Sequence, residues 1–192
     1  MTDDAARRIL DAAGRCIVQR GNTQIRMSEV AHEADVVRST VYRYFPTRDE
    51  LLLGLVLRRV DAALGRLVRG LRSPDDPLRC IPRMVLEPAG SVDGDQLNEA
   101  LFASESTALT AALALGSEQI VDLVVAHYDD LFARWQAGGT MYPDLDRREV
   151  ARWIHTAVLH LLSPSWRYRS RAAKRRFVDQ FVVRALVPQV GH

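Results

Sequence analysis

Lysine is almost absent from this chain, and cysteine and long apolar runs are scarce. Lys174 is the only lysine among 26 basic residues, so arginine carries nearly all of the positive charge. Guanidinium groups favour planar, bidentate contacts, although a GC-rich genome would give the same composition. The formal net charge is only +2, which excludes a polycation that binds nucleic acid through its overall charge. Any nucleic-acid binding must therefore be local.

Several classes of protein are excluded by what is missing. Cys16 and Cys80 are too far apart to form a metal-binding pair, and two cysteines do not make a disulfide framework. His155 and His160 fall on different faces of a helix, and no glycine-rich phosphate loop is present. No window approaches the roughly 18 apolar residues of a membrane span, and the N-terminus lacks the pattern of a signal peptide. We expect a cytoplasmic, non-enzymatic protein without metal or cofactor and without membrane contact.

Helical periodicity runs through almost the whole chain, and no strict alternation argues for a sheet. The hydrophobic fraction of 47% is sufficient for a real core. Start and stop signals include the Thr47-x-x-Glu50 capping box, an Asp146-x-x-Glu149 cap and Gly21 after the first apolar stripe. We predict an all-α protein with a loop over 88–94 and helices at about 7–20, 28–34, 38–44, 49–72, 77–86, 95–115 (interrupted near 104–106), 120–137, 147–162 and 171–186.

The segment from Arg38 to Arg48 has the composition of a DNA-reading helix. It contains three arginines, two tyrosines and several hydroxyl residues, and no acidic residue. Such side chains reach phosphates and base edges, and a helix fits the major groove. Composition alone equally allows a solvated amphipathic helix that turns Val41 and Phe45 to the core.

The wider pattern decides between these interpretations. Residues 27–52, MSEVAHEADVVRSTVYRYFPTRDELL, resemble the DNA-binding signature of the TetR (tetracycline repressor-like) family. The resemblance implies an N-terminal three-helix helix-turn-helix domain (residues 1–48) and a C-terminal helical ligand-binding and dimerisation domain (residues 49–192). It further implies a ligand-responsive repressor that binds a palindromic double-stranded DNA operator as a homodimer. A protein-interaction adaptor with a vestigial helix-turn-helix is the alternative.

The family resemblance also assigns roles to individual residues of the motif. Base and groove contacts fall to Arg38, Ser39, Thr40 and Arg43, and phosphate contacts fall to Tyr42, Tyr44 and Arg48. Core positions are Val30, Ala31, Val41, Phe45 and Leu51. Three residues depart from the pattern: Asp35 replaces the turn glycine, while Val37 and Arg26 replace polar caps. We expect Asp35 to adopt a left-handed backbone, and Ser39 and Ser28 to take over as caps.

The C-terminal part supplies candidates for effector binding and dimerisation. Four residues on the apolar stripes of two late helices are candidates to contact an apolar or aromatic effector, and the alternative is that they are ordinary core residues: His127, Tyr128, Trp135 and Trp153. The last two helices carry more apolar residues than one packing stripe needs, which favours a dimer interface. Its predicted members are Val150, Ile154, Val158, Leu161, Phe177 and Phe181.

A basic cluster and a long helix complete the sequence-based expectations. Arg167, Arg169, Arg171 and residues 174–176 form a cationic run with Trp166 and Tyr168 interleaved. Its position between two apolar helices favours a solvated loop and helix start, and a second nucleic-acid site is the alternative. The helix predicted at 49–72 follows the recognition segment directly, so we expect it to transmit an effector-induced change to the DNA-binding part.

Overall fold

The computed structural model describes residues 2–91, 94–101 and 117–188, and all regular structure within these ranges is helical. The predicted all-α class is confirmed. The helices are α1 (Thr2–Arg20), α2 (Met27–Glu33), α3 (Arg38–Tyr44), α4 (Arg48–Arg69), α5 (Pro77–Gly90), α6 (Gln96–Leu101), α7 (Ser117–Ala137), α8 (Arg147–Leu162), α9 (Pro164–Arg167) and α10 (Arg171–Phe177). A π-helical segment (Val178–Val183) and α11 (Arg184–Leu186) continue α10. No helix in the described part of the chain has the length and apolar character needed to cross a membrane.

The described residues form two compact units. The first lies within Met1–Arg59 and Ser91–Ser117, and the second within Val60–Gly90 and Glu118–His192. Helix α4 is unbroken from Arg48 to Arg69, so it contributes residues to both units.

The first unit is built on α1, which packs against α2 and α6, while α2 packs against α3. Its interior is formed by apolar side chains from α1 to α4 and α6, among them Ile9, Ile17, Val30, Val41, Leu51, Leu55 and Leu101. Arg59 on α4 donates to Asn98 (2.7 Å) and pairs with Asp95 (2.7 Å), which ties α4 to the start of α6. Helix α1 thus supports α2, and α2 in turn supports α3.

The second unit packs α5 against α8 and against the α10 and π-helical segments, with α9 beside α8. Asp146 caps α8 as predicted, because its carboxylate accepts the Glu149 N–H (2.9 Å). Arg148 and Arg152 of α8 hold the exposed Glu118 at the start of α7. Their hydrogen bonds, Arg152 first, lower the pKa of Glu118 to about 2.

The helices differ from the sequence-based expectations at several points. Pro88, Ala89 and Gly90 extend α5 instead of opening a loop. A proline inside a helix removes one backbone hydrogen bond, and the burial of Ala89 retains the last turn. Helix α4 ends at Arg69 and not near Arg72, and α9 was not expected. The helix expected at 95–115 is observed as α6, and its remaining residues lie outside the described ranges.

Candidate DNA-binding surface

The turn between α2 and α3 has the backbone geometry of a helix-turn-helix. Asp35 adopts a left-handed conformation (φ +51°), as expected. Asparagine and aspartate tolerate this region better than other side chains do, so the turn forms without glycine. The Val36 N–H donates to the Ala31 carbonyl oxygen (3.0 Å), which closes the turn.

Both short helices start without help from the serines that were expected to cap them. Helix α3 begins at Arg38 after Val37, which offers no side-chain cap, so the expectation for Ser39 is wrong. Helix α2 begins after Arg26, so the expectation for Ser28 is wrong too. Glu29 compensates in part, since its carboxylate accepts the Arg26 N–H (3.1 Å). At α3 the fully buried Val41 sets the position of the helix, and packing replaces capping.

Four of the predicted base- and phosphate-contacting residues project outward from α3. Arg38, Ser39, Tyr42 and Arg43 are exposed, and Thr40 is half-buried. Arg38 donates to the Tyr42 hydroxyl (3.1 Å), and its guanidinium carbon lies 5.3 Å from the centre of the Tyr42 ring. This pair holds a cation over an aromatic face. It places hydrogen-bond donors of the kind that contact base edges and phosphates on the exposed side of α3.

Tyr44 and Arg48 lie at the other end of the motif and are half-buried. The Arg43 guanidinium carbon lies 5.2 Å from the centre of the Tyr44 ring. Arg48 donates to the Gln24 side-chain oxygen (2.9 Å) and lies 3.8 Å from the Asp49 carboxylate. Gln24, in the loop before α2, was missed by sequence reasoning because a single amide in a loop carries no pattern. It positions the cation that is predicted to contact phosphate.

Phe45 fixes the end of α3 against α4. A Cβ placed on Gly54 would lie 2.9 Å from Phe45 Cε1, so the ring is seated on the bare backbone of α4. Val30, Ala31, Val41 and Leu51 are buried, which confirms four of the five predicted core positions of the motif, and the fifth, Phe45, is half-buried.

Val37 is a second residue that sequence reasoning missed, since it was considered only as a failed cap. Its side chain is 68% exposed immediately before Arg38. An apolar group at this end of α3 has the chemistry to contact a thymine methyl group in the major groove.

The four candidate effector-binding residues have different environments. Tyr128 and Trp135 are buried, and the Trp135 indole N–H donates to the Pro74 carbonyl oxygen (2.7 Å). His127 is half-buried, with its Nε2 2.7 Å from an Asp61 carboxylate oxygen. Trp153 is 39% exposed on α8. The four residues therefore do not share one environment, and their role remains a prediction.

The candidate interface residues divide by exposure. Val150, Ile154 and Leu161 are buried within the chain, and Val158 and Phe177 are half-buried. Phe181 is 58% exposed, and its ring centre lies 5.4 Å from that of Phe177 in a cluster that includes His160 and Trp166. Phe181 is thus the exposed member of the predicted set, and it presents an aromatic side chain on the surface of the second unit.

The basic cluster forms a loop and a helix start, as its position suggested. Arg169, Arg171, Arg175 and Arg176 are exposed. The Lys174 ammonium donates to the Arg167 carbonyl oxygen (2.6 Å), and Arg175 pairs with Asp179 (2.8 Å). These contacts attach part of the cluster to its own loop and helix, and a second nucleic-acid site stays the alternative.

Comparison with known proteins agrees with this geometry. Residues 9–55 match the family model for bacterial regulatory proteins of the tetR family. An uncharacterised HTH-type transcriptional regulator of Mycobacterium tuberculosis, Rv1255c, is 28% identical over 97% of the chain and 88% of its own length. The crystal structure of NalD, a secondary repressor of a multidrug efflux pump in Pseudomonas aeruginosa, has the same fold (TM-score 0.55, 22% identity, 97% and 98% coverage).

The deciding match is the HTH-type transcriptional repressor KstR of Mycolicibacterium smegmatis, which is 32% identical over 77% of the chain and 70% of its own length. The chain belongs to the TetR family. It is a DNA-binding transcription regulator with an N-terminal helix-turn-helix followed by further helices, as the resemblance of residues 27–52 implied.

Proposed function

We propose that this TetR-family chain is a repressor that binds a palindromic operator as a homodimer and releases it when a small apolar effector binds. Residues 1–48 are the DNA-binding domain, and residues 49–192 bind the effector and form the dimer. The observation that carries the DNA-binding role is the two-sided character of α3. Val41 is fully buried, while Arg38, Ser39 and Arg43 point outward.

Repression is supported by relatives that are named repressors, KstR among them. A protein bound across a promoter blocks transcription without further chemistry, so the motif is sufficient for this activity. Release requires that the effector bind one conformational state more tightly than the other. Helix α4 is the natural transmitter, because it starts beside the recognition helix and continues without a break to Arg69.

Dimerisation is supported by the aromatic surface on the last helices. Phe181, with Trp153 and Leu159 on α8, leaves large apolar side chains exposed to water. Pairing this surface with a second copy across a two-fold axis removes it from water and produces an isologous interface. A two-fold dimer in turn matches a palindrome.

A binding titration against the DNA upstream of the chain's own gene tests the proposal. We expect tight binding to a palindromic segment, weak binding to a scrambled one, and a steep fall of the specific affinity with salt as counterions are displaced. Equal affinity for both segments would contradict operator recognition. Absence of any DNA binding by a folded dimer would favour the adaptor function instead.

A further inference from the structure

The phenol of Tyr128 is a buried polar group to which no described residue forms a hydrogen bond. Tyr128 is fully buried, and its hydroxyl has no hydrogen-bond partner in the described structure. Buried hydroxyls are almost always paired, because an unpaired one loses its bonds to water without replacement. An orphan of this kind in the interior of a helical unit therefore points to a partner other than the described residues.

Its neighbours show what kind of molecule would bring that partner. On α7 the ring is flanked by buried Val124, Leu131 and Phe132, with the Phe132 ring centre at 6.0 Å. Burial raises the pKa of Tyr128, and the negative charge of Glu87 raises it further. The phenol therefore stays protonated, and the same surroundings disfavour an anion beside it.

Comparison with the other predicted effector residues singles Tyr128 out. Trp135 donates its only polar hydrogen to Pro74, and His127 is engaged by Asp61. Trp153 is partly exposed on α8. Tyr128 is thus the one member of the four that combines full burial with a polar group left unpaired within the described structure.

From this geometry we infer that Tyr128 is the polar anchor of the effector, and that the effector is an apolar, uncharged molecule with one hydrogen-bonding oxygen. The phenol donates to a carbonyl or hydroxyl oxygen, while the surrounding aliphatic and aromatic groups contact the hydrocarbon part. This inference rests on the proposed effector-binding role of residues 49–192 and specifies its chemistry.

The test removes only the oxygen, in the variant Tyr128→Phe. Tyr168→Phe is the matched control, because Tyr168 lies on the surface of the same unit. The probes are methyl nonyl ketone, n-undecane and undecanoate, with binding followed by calorimetry. Wild type should bind the ketone about fivefold more tightly than the alkane, the value of one net hydrogen bond, and should bind the carboxylate least. Tyr128→Phe should remove the preference for the ketone, and Tyr168→Phe should keep it.

Stability of the ligand-free proteins is the second measurement. Because no hydrogen bond is lost, Tyr128→Phe should unfold at the same denaturant concentration as wild type or a higher one. A lower midpoint would mean that the hydroxyl has a structural partner, and it would overturn the inference. So would a ketone preference that survives in Tyr128→Phe, tighter binding of undecanoate, or no binding of the ketone to wild type.

Operator affinity separates this inference from the proposed function. If the ketone binds through Tyr128 but leaves operator affinity unchanged, the anchor is supported and effector-controlled release is contradicted. If the ketone weakens operator binding equally in wild type and Tyr128→Phe, release is supported and the anchor is contradicted.

Discussion

At the scale of single residues, Val37 is expected to lower the stability of α3 while it supplies an apolar contact to a thymine methyl group. A serine at this position would accept a backbone N–H of the first turn of α3 and stabilise the protein by about 1 kcal/mol. The exposed valine instead leaves the helix uncapped. We expect that Val37→Ser raises the denaturation midpoint and loses discrimination at one base pair of the operator.

An operator series in which single thymines are replaced by uracil measures this discrimination, because only the methyl group is removed. Wild type should bind more weakly when uracil replaces thymine at one position in each half-site. Val37→Ser should bind that operator and the unmodified operator equally. Val37→Thr, which keeps a methyl group and adds a hydroxyl, is the matched control and should retain the loss. A wild type indifferent to every replacement would remove Val37 from the reading surface.

Arg43 and Arg48 test the division between base and phosphate contacts. Arg43→Ala should weaken operator binding by roughly 1–3 kcal/mol and relax sequence preference, because a base contact is lost. Arg48→Ala should weaken all DNA similarly and lower the salt slope by about one. Arg48→Ala should lose less operator affinity than Arg43→Ala, because Arg48 must give up its hydrogen bond to Gln24 before it can contact phosphate.

Titrations of operator and scrambled DNA over a range of salt concentrations measure both effects. Arg72→Ala removes an exposed arginine outside the motif and serves as the control. If Arg43→Ala and Arg48→Ala both bound the operator as wild type does, the assigned surface would be wrong.

At the scale of elements, boundaries were predictable wherever a local signal and burial agree. Helix α3 spans Arg38–Tyr44, as predicted, because Val41 anchors its middle and Pro46 follows its end. Pro88 failed as a stop signal because burial of Ala89 outweighs one missing hydrogen bond. Short α9 has no periodic pattern to reveal it.

The last helix shows why the buried face of a helix is harder to predict than its residue range. Its helical span of 171–186 was predicted, with Ala185 on the apolar stripe. The π-helical turns of Val178–Val183 hold more residues than α-turns do, and Leu186 is buried while Ala185 is exposed. Sequence periodicity assumes a constant turn, so it cannot register such a shift. Periodicity also cannot separate the buried Val150, Ile154 and Leu161 from the exposed Phe181, because it identifies an apolar stripe but not what packs against it.

Helix α8 makes the stability of the second unit sensitive to acid. Burial lowers the pKa of His155, and the positive charge of Arg152 lowers it further. The unfolded chain therefore takes up a proton near the ordinary histidine value of about 6.5, while the folded chain resists it. The contribution of neutral His155 to the free energy of unfolding is therefore fully present above that value. It declines as the pH falls towards the pKa of His155 in the folded chain.

Denaturation at about pH 7.5 and about pH 5.5 measures this decline, and His155→Gln should reduce it. His32→Gln alters an exposed histidine of α2 and should leave the decline as in wild type. A decline of equal size in wild type and His155→Gln would assign the acid sensitivity to other groups.

At the scale of the whole molecule, the proposed dimer determines how much DNA the protein reads. One short helix contacts only a few base pairs, so specificity requires two half-sites about one helical turn apart or a multiple of it. Substitution of Phe181, which is 58% exposed, separates assembly from folding better than substitution of the half-buried Val158 does.

We expect Phe181→Glu to be folded, monomeric by light scattering at micromolar concentration, and weak on the full operator. The buried carboxylate would oppose its symmetry copy across the two-fold axis. Leu78→Glu places the same charge on another exposed apolar residue of the second unit (56% exposed) and should remain a dimer. A monomeric Phe181→Glu that bound the full operator with undiminished affinity would contradict the dependence of recognition on assembly.

The hydrogen bond from the Trp135 indole to Pro74 gives the protein an internal optical reporter. Trp135 is enclosed in the interior, whereas Trp153 and Trp166 are partly in water, so Trp135 should emit at shorter wavelengths than the other two indoles. The Trp135 ring centre is 5.8 Å from Phe132, whose ring in turn lies against Tyr128. The blue side of the emission spectrum therefore follows events around Tyr128, while quenching by added iodide acts on Trp153 and Trp166. A single measurement of tryptophan fluorescence therefore distinguishes a molecule that enters the interior of the second unit from one that only contacts its surface, without a dye or a label.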